Sequence, residues 1–140
     1  MIWILLATLA CGAGEPASPA PAGSPATVPA STVAAATADR IEVAALQPRV
    51  AAGDIFVLDV RTPGEFAQGH VPGAVNVPVQ ELEARLSELD ARKQEEIAVI
   101  CASGNRSKTA TALLRGRGFD RAMDVSGGTS AWVRAGYPVE

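Results

Sequence analysis

The stretch Ile97-Ala-Val-Ile-Cys-Ala-Ser-Gly-Asn-Arg-Ser107 decides the fold of this chain. It begins with an apolar, mostly β-branched run, which is typical of a buried parallel strand. The residues that follow it predict a helix over 107–117, because Ala110, Leu113 and Leu114 recur at helical spacing. Cys101 is therefore expected at the carboxyl end of a strand, where a tight loop leads into a helix N-terminus.

This position has chemical consequences for the Cys101 sulfur. Backbone N–H groups of the loop and the positive end of the helix dipole favour a thiolate and any anion beside it. Arg106 adds a permanent positive charge to the loop. The pattern predicts a nucleophilic cysteine with a lowered pKa. The residues expected to bind its substrate are Ala102, Ser103, Gly104, Asn105, Arg106 and Ser107.

Strands and helices are expected to alternate along the rest of the domain. The predicted strands are 41–43, 55–60, 74–77, 97–101 and 121–125. The predicted helices are 44–52, 62–68, 79–90, 107–117 and 129–135. In the helix 44–52, Pro48 is expected in the first turn, where its missing N–H is tolerated. Such alternation predicts an α/β fold in which a central parallel sheet of about five strands has helices on both faces. Ligands of these sheets bind outside the carboxyl ends of the strands, where Cys101 stands.

Several motifs occur in a fixed order around the cysteine loop. They are Asp59-Val-Arg61, Glu65-Phe66, Gly69-His-Val-Pro-Gly-Ala-Val-Asn-Val-Pro78, the loop itself, and Gly127-Gly128 with Ala131-Trp132. Together they resemble the rhodanese-like (sulfurtransferase) domain, from about Ile41 to Glu140. The resemblance rests on the order of these motifs and on their domain-sized spacing, because a match to Cys-x-x-Gly-x-Arg alone can arise by chance.

The resemblance implies that Cys101 accepts a sulfane sulfur, becomes a persulfide, and passes the sulfur to a thiophilic acceptor such as cyanide or a thiol. Arg106 would orient an anionic donor or stabilise the loop. The expected partners are a small sulfur donor and this acceptor, and no metal ion or other cofactor is expected. A second hypothesis is a weakly active module that carries or binds persulfide together with a partner protein.

Rival chemistries use related residues. Tyrosine and dual-specificity phosphatases have a similar loop with five residues between Cys and Arg, whereas four separate Cys101 from Arg106, so the loop is expected to be too small for a tetrahedral oxyanion. His70 is the one histidine, and its Gly-His-Val-Pro-Gly setting is typical of a turn residue rather than a base.

Many rhodanese-like loops carry Arg directly after the cysteine. Here Ala102 stands in that place, and thiosulfate is expected to be a poor donor.

Some residues near the loop allow two interpretations. Asp59 and Arg61 end a strand on the same edge as Cys101, and either support the active-site loop or form an ordinary ion pair that fixes the chain after the strand. Gly127 and Gly128 are expected to give the backbone a special shape near the cysteine. Trp132 is expected in the core or in a pocket wall.

Composition divides the chain into two unlike parts. Residues 1–38 contain a single charged side chain, whereas residues 39–140 contain 12 basic and 14 acidic ones. The near balance argues against a nucleic-acid partner, which usually requires a basic face. We expect residues 39–140 to form one rhodanese-like domain, and a monomer.

The N-terminal segment reads as an export signal. Residues 1–11 are apolar and too short to span a bilayer as an ordinary helix, and Cys11 at their end is similar to the lipidated cysteine of bacterial lipoproteins. The Ala-, Pro- and Ser-rich residues 12–38 predict a flexible tether. We therefore expect a periplasmic or otherwise extracytoplasmic protein, held at the membrane through a lipid on Cys11. A signal peptide cut nearby, with Cys11 incidental, is the alternative.

Overall fold

A computed structural model of the protein describes residues 39–140. The predicted export signal, Cys11 and the predicted tether lie outside the described residues. Five strands and five α-helices alternate: β1 Arg40–Ile41, α1 Val43–Ala52, β2 Phe56–Asp59, α2 Pro63–Ala67, β3 Val75–Asn76, α3 Leu86–Leu89, β4 Ile97–Ile100, α4 Asn105–Gly116, β5 Ala122–Val125 and α5 Gly128–Arg134. One turn of 3₁₀-helix, Asp90–Arg92, follows α3.

All five strands belong to one parallel sheet in the order β1-β5-β4-β2-β3. β4 lies at the centre of the sheet, and its apolar residues are buried on both faces, as the sequence predicts. Asp59 at the end of β2 is in register with Ile100 at the end of β4, so the residues after both strands emerge side by side. This arrangement confirms the predicted α/β fold.

The core has two apolar clusters, built from strand residues that alternate between the faces of the sheet. One cluster joins Leu58 and Val99 to α3 and α4, and it includes Cys101. The other joins Val57 and Ile100 to α1 and α5. Trp132 of α5 is fully buried in this second cluster, and its indole N–H donates to the Pro138 carbonyl at 2.8 Å. Of the two places expected for Trp132, it therefore occupies the core.

The predicted helix over 79–90 is wrong in most of its length. Residues 79–85 form successive turns, and α3 covers Leu86–Leu89 only. The N–H of Val79 donates to the Val60 carbonyl, and the bonds that follow, from Glu81 to the Pro78 carbonyl and from Arg85 to the Glu81 carbonyl, are isolated turns rather than a continuous helical ladder. Leu82 and Leu86 are buried as expected. The spacing therefore indicated which side chains face the core, but not how the backbone is hydrogen-bonded.

Three helices begin earlier than predicted, and for α5 the difference is one residue, since it begins at Gly128. α1 starts at Val43, directly after the short strand β1, so that Pro48 is its sixth residue and not in its first turn. The helix continues through this proline with one backbone hydrogen bond fewer. α4 starts at Asn105 rather than at 107, because Gly104 has φ of 99° and turns the chain sharply. Arg106 and Ser107 consequently lie in the first turn of a helix.

Candidate active site

Cys101 occupies the predicted place, immediately after β4 at the carboxyl edge of the sheet. The residue is 1% exposed. The N–H of Gly104 donates to its Sγ at 3.1 Å, and the Ser107 Oγ lies 3.5 Å from the sulfur. The sulfur therefore lies inside the turn that joins β4 to α4, with the Gly104 amide hydrogen directed at it.

These contacts decide the ionisation of the thiol. Burial by itself raises the pKa of Cys101, because a buried negative charge loses water. Hydrogen bonds from the backbone amides of Ser107, Gly104 and Ser103 act in the opposite direction. The pKa of Cys101 falls below its ordinary value of 9.0, so a larger fraction of this thiol is ionised than in a free cysteine at the same pH.

The other side of the loop is held by the start of α5. The amides of Thr129 and Ser130 donate to the carbonyls of Cys101 and Ala102 at 2.7 and 2.9 Å. Gly128 makes this approach possible: a Cβ on it would lie 2.3 Å from the Cys101 oxygen. The expected special backbone at Gly127-Gly128 is thus present, with φ of 71° and 58°. With its carbonyls anchored outward, the loop directs amides toward the sulfur.

Arg106 does not stand alone beside the cysteine. Its two terminal nitrogens donate to the two carboxylate oxygens of Glu65 at 2.8 and 2.7 Å, and both side chains are about one-third exposed. Glu65 also closes a capping box with Thr62 at the start of α2. The ion pair therefore links α2 to the first turn of α4 and neutralises the one charged side chain of residues 101–107.

The guanidinium of Arg106, followed by the backbone of Thr62, lowers the pKa of Glu65 from 4.5 to about 2. A carboxylate whose pKa is lowered by folding stabilises the fold above its unfolded pKa. The contribution of Glu65 is therefore fully present above about pH 4.5 and is lost as the pH falls toward about 2. At neutral pH the pair with Arg106 is complete.

Asp59 and Arg61 lie beside the cysteine but direct their hydrogen bonds elsewhere. Arg61 donates to both carboxylate oxygens of Asp59 at 2.7–3.0 Å, and to the Gly69 carbonyl at 2.9 Å. Both side chains are buried. The pair joins the end of β2 to the segment before β3, next to the backbone bond from the Val60 N–H to the Ile100 carbonyl. The pair therefore holds in place the chain that lies beside Cys101 at this edge of the sheet.

His70 lies between the turn at Gln68 and the turn at Pro72-Gly73. Its ring stacks on Phe66 with 3.6 Å between centroids, and its Nδ1 lies 3.1 Å from the Phe66 carbonyl. Its backbone pairs with Glu140. These contacts account for the side chain without a role as a base.

Three polar residues of the site were given no role by the sequence. Glu65 pairs with Arg106, Thr129 donates to the Cys101 carbonyl, and Asp124 of β5 accepts from Ser107 at 2.5 Å. A signal existed for Asp124, since it is the one charged residue in the apolar strand Ala122–Val125. A charge in a buried strand requires a partner.

The fold and this geometry define an α/β domain with a cysteine loop at the carboxyl edge of a parallel sheet, which is the edge where such domains bind ligands. Comparison with known proteins identifies the family. The model of the rhodanese-like domain matches residues 42–135, and the chain belongs to that family.

Named relatives agree with this assignment. The chain is 38% identical over 86 residues to a sulfurtransferase of Allochromatium vinosum, a match that covers 61% of this chain and 78% of the relative. It is 41% identical over 93 residues to the chloroplastic thiosulfate sulfurtransferase 16 of Arabidopsis thaliana, covering 59% of this chain and 78% of that one. A rhodanese-related protein of Thermoplasma volcanium has a similar structure, with a TM-score of 0.66 and 37% identity over 72% of this chain and 96% of that one.

Proposed function

We propose that the protein is a sulfurtransferase that carries a sulfane sulfur as a persulfide on Cys101 and passes it to a thiophilic acceptor such as a thiol or cyanide. The observation that carries this proposal is the buried Sγ that accepts a hydrogen bond from the Gly104 amide. A thiolate is the attacking form of cysteine, and the lowered pKa of Cys101 supplies it.

The loop also suits the persulfide. In the first step the thiolate attacks the sulfane sulfur, the Sγ–S bond forms, and the donor leaves with the electron pair of its own broken S–S bond. The negative charge then lies on the outer sulfur, where the loop amides of residues 102–106 would stabilise it. In the second step the acceptor attacks the outer sulfur, and Cys101 leaves as a thiolate.

Mass spectrometry after incubation with a panel of sulfur donors tests the proposal. The expected result is a mass increase of one sulfur atom on Cys101, which disappears when cyanide or a thiol is added. No adduct with any donor would contradict the assignment. An adduct that no small acceptor removes would instead support the carrier hypothesis, in which a partner protein takes the sulfur.

The charges around the loop favour a donor of low charge. Ala102 contributes no cation, and Arg106 is engaged by Glu65 through two hydrogen bonds. A doubly charged donor such as thiosulfate therefore meets little net positive potential in the loop. We propose that the preferred donor is an organic persulfide or a similar species with less charge than thiosulfate.

Glu65→Gln tests this donor preference. Removal of the carboxylate leaves Arg106 unneutralised, and the Michaelis constant for thiosulfate should fall by about 2–10-fold at low ionic strength, with the gain lost at high salt. The constant for an uncharged organic donor should not change. Steady-state kinetics with both donors provide the measurement.

Glu83→Gln is the matched control for this variant, because Glu83 is exposed and pairs with Arg117 on the protein surface. It should leave both Michaelis constants unchanged. An equal loss of activity with both donors in Glu65→Gln would show that the carboxylate only holds the loop together. The donor preference would then have no electrostatic basis.

We also propose that the protein is held at a membrane, facing an extracytoplasmic space, by a lipid on Cys11. The support is the apolar segment 1–11 and the Ala-, Pro- and Ser-rich segment that follows it, in which Glu15 is the single charged residue. Within residues 39–140 no helix is long and apolar enough to span a bilayer.

Cys11→Ser should move the protein from the membrane fraction to the soluble fraction, as measured by fractionation of the full chain in a bacterial host. Equal membrane association of the variant and the original chain would refute the lipid anchor.

A further inference from the structure

Asp124 is a buried acid directly behind the active-site cysteine. Its side chain is 5% exposed and lies in the apolar strand β5. Its Oδ2 accepts from the Nε of Arg40 at 3.3 Å, and Arg40 itself is half exposed. Its Oδ1 accepts from the Ser107 hydroxyl at 2.5 Å, a short bond between two buried residues. The interior partner of this carboxylate is therefore Ser107.

Ser107 stands between two groups that compete for one proton. Its Oγ lies 2.5 Å from the carboxylate and 3.5 Å from the Cys101 Sγ. A carboxylate only accepts hydrogen bonds, so the single hydroxyl proton points to Asp124 and a lone pair faces the sulfur. A thiol donates to that lone pair. A thiolate accepts no hydrogen bond from Ser107 unless the hydroxyl proton turns from the carboxylate to the sulfur.

We propose that Asp124 is a positioning residue for sulfur transfer: by holding the Ser107 proton, and by its own charge, it disfavours negative charge on the Cys101 Sγ and so favours the persulfide over the empty thiolate. In the persulfide the charge lies on the outer sulfur, one bond farther from Asp124 and among the loop amides. The same carboxylate thus acts differently on the two states that alternate during transfer.

Other charged groups around the cysteine do not produce this difference. Each has a partner in the described part of the chain: Glu65 with Arg106 and Asp59 with Arg61, while Asp39 pairs with Arg115 at the far end of α4. Asp124 differs from these acids because it shares a hydroxyl with the sulfur.

The test uses the exchange of a sulfur atom between thiosulfate and Cys101, in which atoms and charge balance. Cys101 thiolate and thiosulfate give Cys101 persulfide and sulfite. The Sγ–S bond forms, the donor S–S bond breaks with its electron pair on sulfite, and the total charge is unchanged. Sulfite reverses the reaction by attack on the outer sulfur. The position of this equilibrium reports the relative stability of the loaded and empty states.

Asp124→Asn is the decisive variant, since the amide keeps the shape and removes the charge. The rate of alkylation of Cys101 against pH should show a pKa that is lower than in the original chain by roughly 0.5–1 unit. The exchange equilibrium should shift by about 3–10-fold toward the Cys101 thiolate and thiosulfate. An unchanged or raised pKa in a variant with a cooperative unfolding transition would overturn the proposal.

Two further variants keep the test independent of how well Asp124→Asn folds. Ser107→Ala should not raise the pKa of Cys101, because the hydroxyl proton is committed to Asp124 in the resting protein. A rise would show that Ser107 donates to the thiolate, and would overturn the proposal. Asp120→Asn removes an equal charge from an exposed residue just before the same strand, and should leave the pKa and the equilibrium unchanged.

The equilibrium measurement rests on the proposed sulfurtransferase function, whereas the alkylation measurement does not. If Cys101 takes up no sulfur but its pKa falls in Asp124→Asn, the proposed function fails and the effect of Asp124 on the thiol stands. If sulfur is taken up normally and neither quantity changes, the function stands and the role of Asp124 fails.

Discussion

Cys101→Ser should abolish sulfur transfer while the domain remains folded. A hydroxyl is nearly isosteric with the thiol but far less acidic, so the loop amides cannot supply an attacking anion at neutral pH. Thiocyanate formation from a sulfane donor and cyanide should fall by at least about a thousandfold, as is typical when a covalent nucleophile is removed. The sulfur adduct on residue 101 should be absent in mass spectra.

The fold provides the control for this variant. Cys101 makes its hydrogen bonds at the end of β4, and the smaller hydroxyl fits the same site and accepts from the Gly104 amide. Circular dichroism and thermal unfolding should therefore resemble those of the original chain. Thiocyanate formation that persists in the serine variant would mean that another group carries the sulfur, and the assignment of Cys101 would fall.

Gly128→Ala should inactivate the protein through its backbone. The residue has φ of 58°, and a Cβ there would lie 2.3 Å from the Cys101 oxygen and 2.7 Å from the Ala102 oxygen. Left-handed backbone and overpacking together should lower the free energy of unfolding by at least about 2 kcal/mol. Because these carbonyls anchor the loop, the sulfur should be misplaced and turnover should fall by about a hundredfold. Denaturant unfolding and steady-state kinetics on the same preparation measure both effects.

Gly116→Ala is the matched control. Gly116 is the last residue of α4, and a Cβ on it would meet nothing within 4 Å. Alanine favours helix over glycine, so stability should rise slightly or stay the same, and turnover should not change. If Gly128→Ala behaves like Gly116→Ala, the close approach of α5 to the cysteine loop does not control the site.

The sequence alone was sufficient for the fold class and for the position of Cys101 at the edge of the sheet. An apolar β-branched run followed by Cys101, a glycine and a helix places a thiol at the carboxyl edge of a parallel sheet, because strand period and helix period are local properties of the chain. The predicted helix over residues 79–90 shows where this reasoning stops. Its spacing located the buried leucines, but the backbone of residues 79–85 forms separate turns. The hydrogen bond from Val79 to Val60, which holds the start of this segment against the sheet, joins residues far apart in the chain and is not visible in the spacing.

The environment of the cysteine was decided by tertiary structure. Arg106 is visible in the loop sequence, but its neutralisation by Glu65 requires α2 to lie against α4. Asp124 is visible as a charge in an apolar strand, but its bond to Ser107 requires β5 to lie beside β4 and beneath α4. Electrostatic and hydrogen-bond energies depend on distances of a few ångströms between residues far apart in the chain. The sequence by itself therefore determined the fold class and the place of Cys101 in it, whereas only the folded structure decided which charges surround that cysteine.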